Sequence, residues 1–193
     1  MKTFHVLTIL PFSLCFLCSA TSAGLLTVDG WTVGDERLTR DTQTGLDWLD
    51  LTVTDNKSIN DIFVSHFGNL DGLGFRLATL NEVATLFTHA GAIGDPFVVT
   101  TNAANLPIAQ YMMSLLGDTS APYGFSTVDI HFMEGRVLSP AGGLRLGAAE
   151  TYGPLDPGGR SGTATIQVQG VDQAPHAFAV SHRQNAIGVF LVR

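Results

Sequence analysis

Few residues of this chain combine the type and the spacing that chemistry requires, and the most suggestive of them fall in its second half. His131-Phe132-Met133-Glu134 sets an imidazole and a carboxylate three apart, a zinc-ligand spacing when the backbone is helical. The neighbouring residues argue against a helix. Val128, Ile130 and Phe132 alternate with Thr127, Asp129 and His131, which is the period of a strand, so positions 131 and 134 project to opposite sides. No His-Glu-x-x-His accompanies them, and no metal site is expected. Asp129 and Glu134 are also the acids that come nearest to the carboxylate pair of a glycan hydrolase. The polar outer face of an edge strand accounts for both without any chemistry.

Other candidates weaken on the same scrutiny. Gly124-Phe125-Ser126-Thr127-Val128 lacks the second glycine of a nucleophile elbow and sits in a strand pattern, and Ser181-His182 are strand neighbours whose side chains diverge. Asp41 to Asp50 and Asp55 to Asp61 gather the hard oxygen ligands that calcium prefers, but neither run has the glycine and the terminal glutamate of an EF-hand loop. Local roles suit them better: Asp41 as a turn residue, Asp47 and Asp50 on a solvated strand face, Ser58 and Asp61 as helix caps. Trp48 has a ring that would stack on a sugar, yet it alternates in phase with Leu46 and reads as core. Arg76 is expected to pair with Glu82 or with an aspartate of the first hairpin.

The elements that position these residues follow from periodicity and punctuation. Leu38-Thr39-Arg40 and Leu46 to Leu51 read as two strands joined by Asp41-Thr42-Gln43-Thr44-Gly45. Ser58 with Asp61 forms a capping box ahead of Ile59, Ile62, Phe63 and Phe67, and Gly68 closes that helix. Thr79 with Glu82 repeats the device ahead of Leu80, Val83, Ala84 and Phe87, ending at Gly91. A third helix is predicted from Leu106 to Leu116, with Pro107 in its first turn and Gly117 after it. The second half is read as short strands: 127–132, a turn at Glu134-Gly135 into Arg136-Val137-Leu138, then Leu144 to Leu146, Ala164 to Val168, Ala177 to Ser181 and Ile187 to Val192. Gly- and Pro-rich loops lie between Ser139 and Gly162. Strands, then helices, then strands predict one α+β domain.

Export is expected. Residues 1–23 carry a short basic start, an apolar stretch from Val6 to Cys18 and the small-residue run Ser19 to Ala23, the pattern of a cleaved signal peptide. The apolar stretch is too short to span a membrane and Pro11 interrupts it, while Leu14 and Leu17 before the two cysteines argue against lipidation. Cleavage removes both cysteines, so residues 24–193 would fold as a single domain without disulfides, thiolate metal sites or cysteine nucleophiles. Seventeen acidic against ten basic residues give a net charge of −7, and the arginines are scattered, so nucleic acid is excluded as a partner.

Thr44-Gly45-Leu46-Asp47-Trp48-Leu49-Asp50-Leu51, then Gly74-Phe75-Arg76-Leu77-Ala78-Thr79 running into Glu82-Val83, and the closing Phe190-Leu191-Val192-Arg193 form a recognisable pattern. It resembles exported bacterial proteins that often carry a PEP-CTERM sorting tail. More distantly it is similar to the C-type-lectin-like C-terminal domains of collagen-like bacterial adhesins. The resemblance covers residues 35–91 and the last few. It implies a C-type-lectin-like α+β fold, two to three helices packed on antiparallel strands, and an extracellular module without catalysis. Tail-bearing members continue into Pro-Glu-Pro, an apolar anchor and a basic end, whereas this chain stops at Arg193, so release or periplasmic residence is expected, with no membrane contact after cleavage.

The expected function is therefore a secreted binding or surface-structural module that contacts polysaccharide or protein outside the cell, with no cofactor and no catalytic residue. Its ligand face is expected on the outward side of the strand holding Thr127, Asp129 and His131, with Arg145 across the following loop. The rivals are a secreted glycan hydrolase using paired carboxylates and an architectural component assembling through its sheet edges.

Overall fold

The computed structural model describes residues 24–99, 101–120, 130–138, 144–152, 163–168 and 187–193. The segment 1–23 expected to be a signal peptide, the Gly124–Val128 and Ser181-His182 motifs, and the strand predicted from Ala177 to Ser181 lie outside them. Strands β1 (Leu25–Val28), β2 (Leu38–Asp41) and β3 (Asp47–Leu49) come first, then helix α1 (Ile59–Phe63), β4 (Arg76–Leu77) and α2 (Leu80–His89). Next are β5 (Thr101–Asn102), α3 (Leu106–Leu116), β6 (Ile130–Leu138), β7 (Leu144–Tyr152), β8 (Thr163–Val168), β9 (Gly188–Val189) and β10 (Leu191–Val192). The chain is thus a mixed α+β fold.

Among the described residues the strands form two sheets, ordered β1-β2-β3-β10-β4 and β5-β8-β7-β6-β9. The final strands belong to both: β9 pairs with β6, β10 inserts between β3 and β4, and the chain changes sheet at Phe190. The β6–β9 pair is parallel, so the second sheet is mixed where wholly antiparallel strands were expected.

Local chemistry explains the early elements. Asp41 Oδ1 accepts from Gln43 and Thr44 N–H, Gly45 adopts φ 74°, and β2 and β3 then pair in the predicted hairpin. Both predicted capping boxes are present, Ser58 with Asp61 and Thr79 with Glu82. Helix α1 is shorter than the apolar spacing predicts: it stops at Phe63, and Phe67–Asn69 forms a separate 3₁₀ turn entered through His66 at φ 52°. Helix α3 has the predicted bounds, with Pro107 in its first turn and Gly117 as its cap at φ 88°.

The predicted turn at Glu134-Gly135 is overturned, because β6 runs unbroken from Ile130 to Leu138 along the equally long β7. Gly135 has a different use. It lies opposite Gly147 in the ladder, and a Cβ on either would collide with the Phe190 ring. That ring stands edge-on to Trp48 (centroids 6.2 Å, 88°) and to Phe87 (6.4 Å, 70°), joining the two sheets to α2. Trp48 is buried here, as its phase with Leu46 predicts. A second apolar cluster, Leu38, Leu49, Ile62, Leu70, Phe75, Val189 and Leu191, lies beneath α1 and the 3₁₀ turns.

Candidate functional site

Between β1 and β2 the segment Asp29-Gly30-Trp31-Thr32-Val33-Gly34-Asp35 has no apolar period, and its shape is imposed by one side chain. The Asp35 carboxylate accepts from the N–H groups of Gly30 (2.6 Å), Trp31 (2.9 Å) and Thr32 (3.1 Å), and from the Thr32 hydroxyl (3.3 Å). The Gly30 N–H, then that of Trp31, hold this carboxyl far below its ordinary range despite some desolvation. A side chain that closes a loop in this way fixes the backbone of the residue it presents, and that residue is Trp31, 41% exposed.

Trp31 forms one wall of a hollow of about 300 Å³, completed by Arg37, Val53, Phe67, Gly68 and Leu70. That volume is at the small end of the roughly 300–1,000 Å³ of ligand pockets, room for one ring rather than an extended chain segment. The walls are positioned independently of one another. Arg37 precedes β2, and its carbonyl accepts from Asp50 N–H. Val53 sits in the 3₁₀ turn Leu51–Thr54, which Asp50 caps by accepting from Thr52 N–H at 2.7 Å. Phe67 and Gly68 belong to the turn that His66 and Asp71 close at 2.6 Å, and Leu70 anchors it in the second apolar cluster. The Arg37 guanidinium lies 5.8 Å from the Trp31 ring centroid, and the Lys57 ammonium 4.7 Å from that of Phe67. Among the described residues, no carboxylate, imidazole, hydroxyl or thiol lines this hollow. Its chemistry is to bind an apolar ring face beside positive charge, without any group to move a proton.

Of the predicted ligand residues, His131 and Arg145 lie in the second sheet. Thr127 and Asp129 lie outside the described residues. His131 is in β6 opposite Thr151, and Arg145 is in β7 opposite Val137. Six register positions separate those pairs, about 20 Å at roughly 3.4 Å per residue, so the hairpin does not bring His131 and Arg145 together. Met133 and Val137 are fully buried in the main core, which makes the odd face of β6 the inner one there. Asp47, expected on a solvated face, is buried: it accepts from Arg40 Nε (2.7 Å) and Nη2 (2.9 Å), and Arg193 Nε lies 3.5 Å away. Arg76 meets Glu82, one of the two kinds of partner expected for it.

The even face of β6 carries polar residues among apolar ones. Glu134 shares it with Arg136, with Glu150 diagonally across β7, and with Thr165 and Gln167 on β8. Burial, and then the Glu150 charge, push the Glu134 carboxyl up to about 7. Arg136 is wholly buried and donates from Nη1 to the Lys57 carbonyl at 2.9 Å. Glu134 was visible in the sequence as a carboxylate, and Asp129, named beside it, lies outside the described residues.

A third polar feature joins β2 to the end of α2. His89 Nδ1 lies 2.7 Å from Asp41 Oδ2, with 16% and 1% of the two side chains exposed. His89 borders a hollow of about 310 Å³ with Asn81, Ala84, Thr85, Thr88, Pro96 and Phe97.

Among the described residues, no three His, Cys, Asp or Glu side chains are grouped to hold a metal ion, and no helix is long and apolar enough to cross a membrane. Compared with known proteins, the chain matches no family model, no curated protein and no solved structure.

Proposed function

We propose that this chain is an exported, non-catalytic binding module that contacts polysaccharide outside the cell through the Trp31 hollow. One observation carries the reading. A half-exposed tryptophan, held by a carboxylate-locked loop, stands in a ring-sized hollow without any acid, base or nucleophile. Aromatic faces bind the apolar faces of sugar rings, and a loop ordered beforehand avoids the entropy of ordering it on binding. In the same reading the domain is C-type-lectin-like and related to PEP-CTERM-associated exported proteins. The order of its elements supports this: strands, then two capped helices, then strands returning to close the first sheet.

The test is binding of the purified chain to an array of neutral and acidic bacterial polysaccharides, with calcium and with a chelator, beside Trp31→Ala. Glycan binding that this substitution removes, while the melting temperature stays unchanged, is the expected result. Binding that survives it moves the site elsewhere.

A second reading, a secreted glycan hydrolase, draws on Glu134 and Glu150, an acid whose pKa is raised to about 7 beside a second carboxylate. It predicts hydrolysis of a polysaccharide on that array, with two carboxylate titrations in its pH-rate profile and loss of rate in Glu134→Gln.

A further inference from the structure

The charges around the Trp31 hollow say more about its ligand than the ring alone. Three described cations are already matched to acids: Arg40 and Arg193 to Asp47, and Arg76 to Glu82 by a two-pronged contact. Arg136 and Arg145 belong to the second sheet. Arg37 and Lys57 differ. Each lies over an aromatic ring, and neither is within ion-pair distance of a carboxylate among the described residues. The two rings they cover, Trp31 and Phe67, are walls of one hollow. In a chain of net charge −7, one such cation lining the hollow and a second over the ring of one of its walls run against the overall field.

We propose that the hollow selects an anionic sugar, a uronic acid residue, with its ring on Trp31 and its carboxylate beside Arg37 and Lys57. This rests on the reading of the hollow as the binding site and adds the chemical class of its ligand. A planar guanidinium matches the two oxygens of a carboxylate, and that of Arg37 lies over the Trp31 ring, 5.8 Å from its centroid. The ammonium of Lys57 supplies a second positive centre without requiring a fixed geometry. The rest of the lining is apolar, so an anion there meets no competing carboxylate. Neutral sugars would gain the ring contact alone.

Calorimetric titration of the purified chain with polygalacturonate, and with the same polymer after reduction of its carboxylates to alcohols, separates the two claims. The acidic polymer is expected to bind more tightly by roughly tenfold, about the weight of one charge-assisted hydrogen bond, and to lose that advantage in high salt. Arg37→Gln with Lys57→Gln should bring the two polymers to equal affinity, whereas Arg76→Gln, already paired with Glu82, should leave the preference intact. Trp31→Ala should weaken both. Equal binding of the two polymers, both lost in Trp31→Ala, overturns the anionic preference and leaves the hollow as the site. Binding indifferent to Trp31→Ala overturns the site and this inference together. Failure of the acidic polymer to bind overturns the inference, while the neutral glycans of the array continue to test the hollow.

Discussion

Gly135 of β6 and Gly147 of β7 face each other directly in the ladder, and together they open the sheet to the ring of Phe190. A Cβ on Gly135 would lie 2.6 Å from Phe190 Cδ2 and 2.8 Å from Leu51 Cδ2, and one on Gly147 would lie 2.9 Å from Val83 Cγ1. Neither glycine has a positive φ, so space alone, and not backbone freedom, demands the missing side chain. Because Phe190 is where the chain passes from one sheet to the other, this slot fixes how the sheets meet.

Gly135→Ala is expected to destabilise the protein by about 1–3 kcal/mol through overpacking. Phe190→Ala should cost about 3–5 kcal/mol by leaving a cavity. The double substitution should cost less than the sum, since the new methyl enters space the ring has vacated. Urea melts of the four proteins measure this, and strict additivity would mean that the glycine does not act through the ring.

The Glu82 carboxyl has two tasks: Arg76 grips it at 2.9 and 2.5 Å, and it accepts from Thr79 N–H at 2.9 Å as half of the capping box. The Arg76 contact, with the Thr79 bonds, overcomes burial and lowers its pKa to about 2. A carboxyl whose folded pKa is depressed stabilises the fold above its unfolded pKa, about 4.5, and loses that contribution as pH falls toward 2. Thr79→Ala should cost about 1 kcal/mol at neutral pH. Glu82→Gln should flatten the acid limb of the stability curve between pH 4.5 and 2, and an unchanged limb would assign it to other carboxylates.

What the sequence disclosed divides by distance along the chain. Both capping boxes, the Asp41 turn, the bounds of α3 and the Arg76–Glu82 pair depend on residues within a few positions of each other, so pattern alone located them. The insertion of β10 between β3 and β4 and the parallel pairing of β9 with β6 join residues more than fifty positions apart, and nothing local encodes them. Gly135 looked like a turn because glycine opens turns more often than it opens slots. Trp31 went unread for a related reason: its segment has no period to mark a core or a face, and its one signal was a tryptophan among glycines and aspartates. The second sheet's polar face hid behind the assumption that alternation in β6 puts polar residues in water, whereas Arg136 is fully buried.

Asp41 serves the hairpin turn and also His89, so two substitutions separate its roles. Burial raises its carboxyl, but the His89 bond and the Gln43 and Thr44 contributions outweigh it, and the pKa is lowered. Its stabilisation is therefore present at neutral pH and lost on acidification. Asp41→Asn keeps an acceptor for the turn and weakens the tie to His89, at an expected cost of about 1–2 kcal/mol. Asp41→Ala loses the turn as well and should cost about 1 kcal/mol more. Equal losses in the two variants, measured by urea denaturation at pH 7, would show that the turn bonds carry no weight.

Glu134 has the opposite pH signature. Its folded pKa, about 7, lies above the ordinary 4.5, so the folded protein holds a proton that the unfolded chain releases across that interval. Stability must then fall as pH rises from about 4.5 to about 7, and level off once both states are ionised. The decline attributable to this group should be about 1–3 kcal/mol, the cost of placing its charge on a buried face beside Glu150. Glu134→Gln removes that charge and keeps the shape, so the variant should match the wild type at pH 4.5 and exceed it in stability at pH 8. Denaturation curves at both pH values test this directly. A variant no more stable than the wild type at pH 8 would mean that the Glu134 carboxylate finds compensation on the even face of β6, which would leave the hydrolase reading without the neutral acid on which it depends.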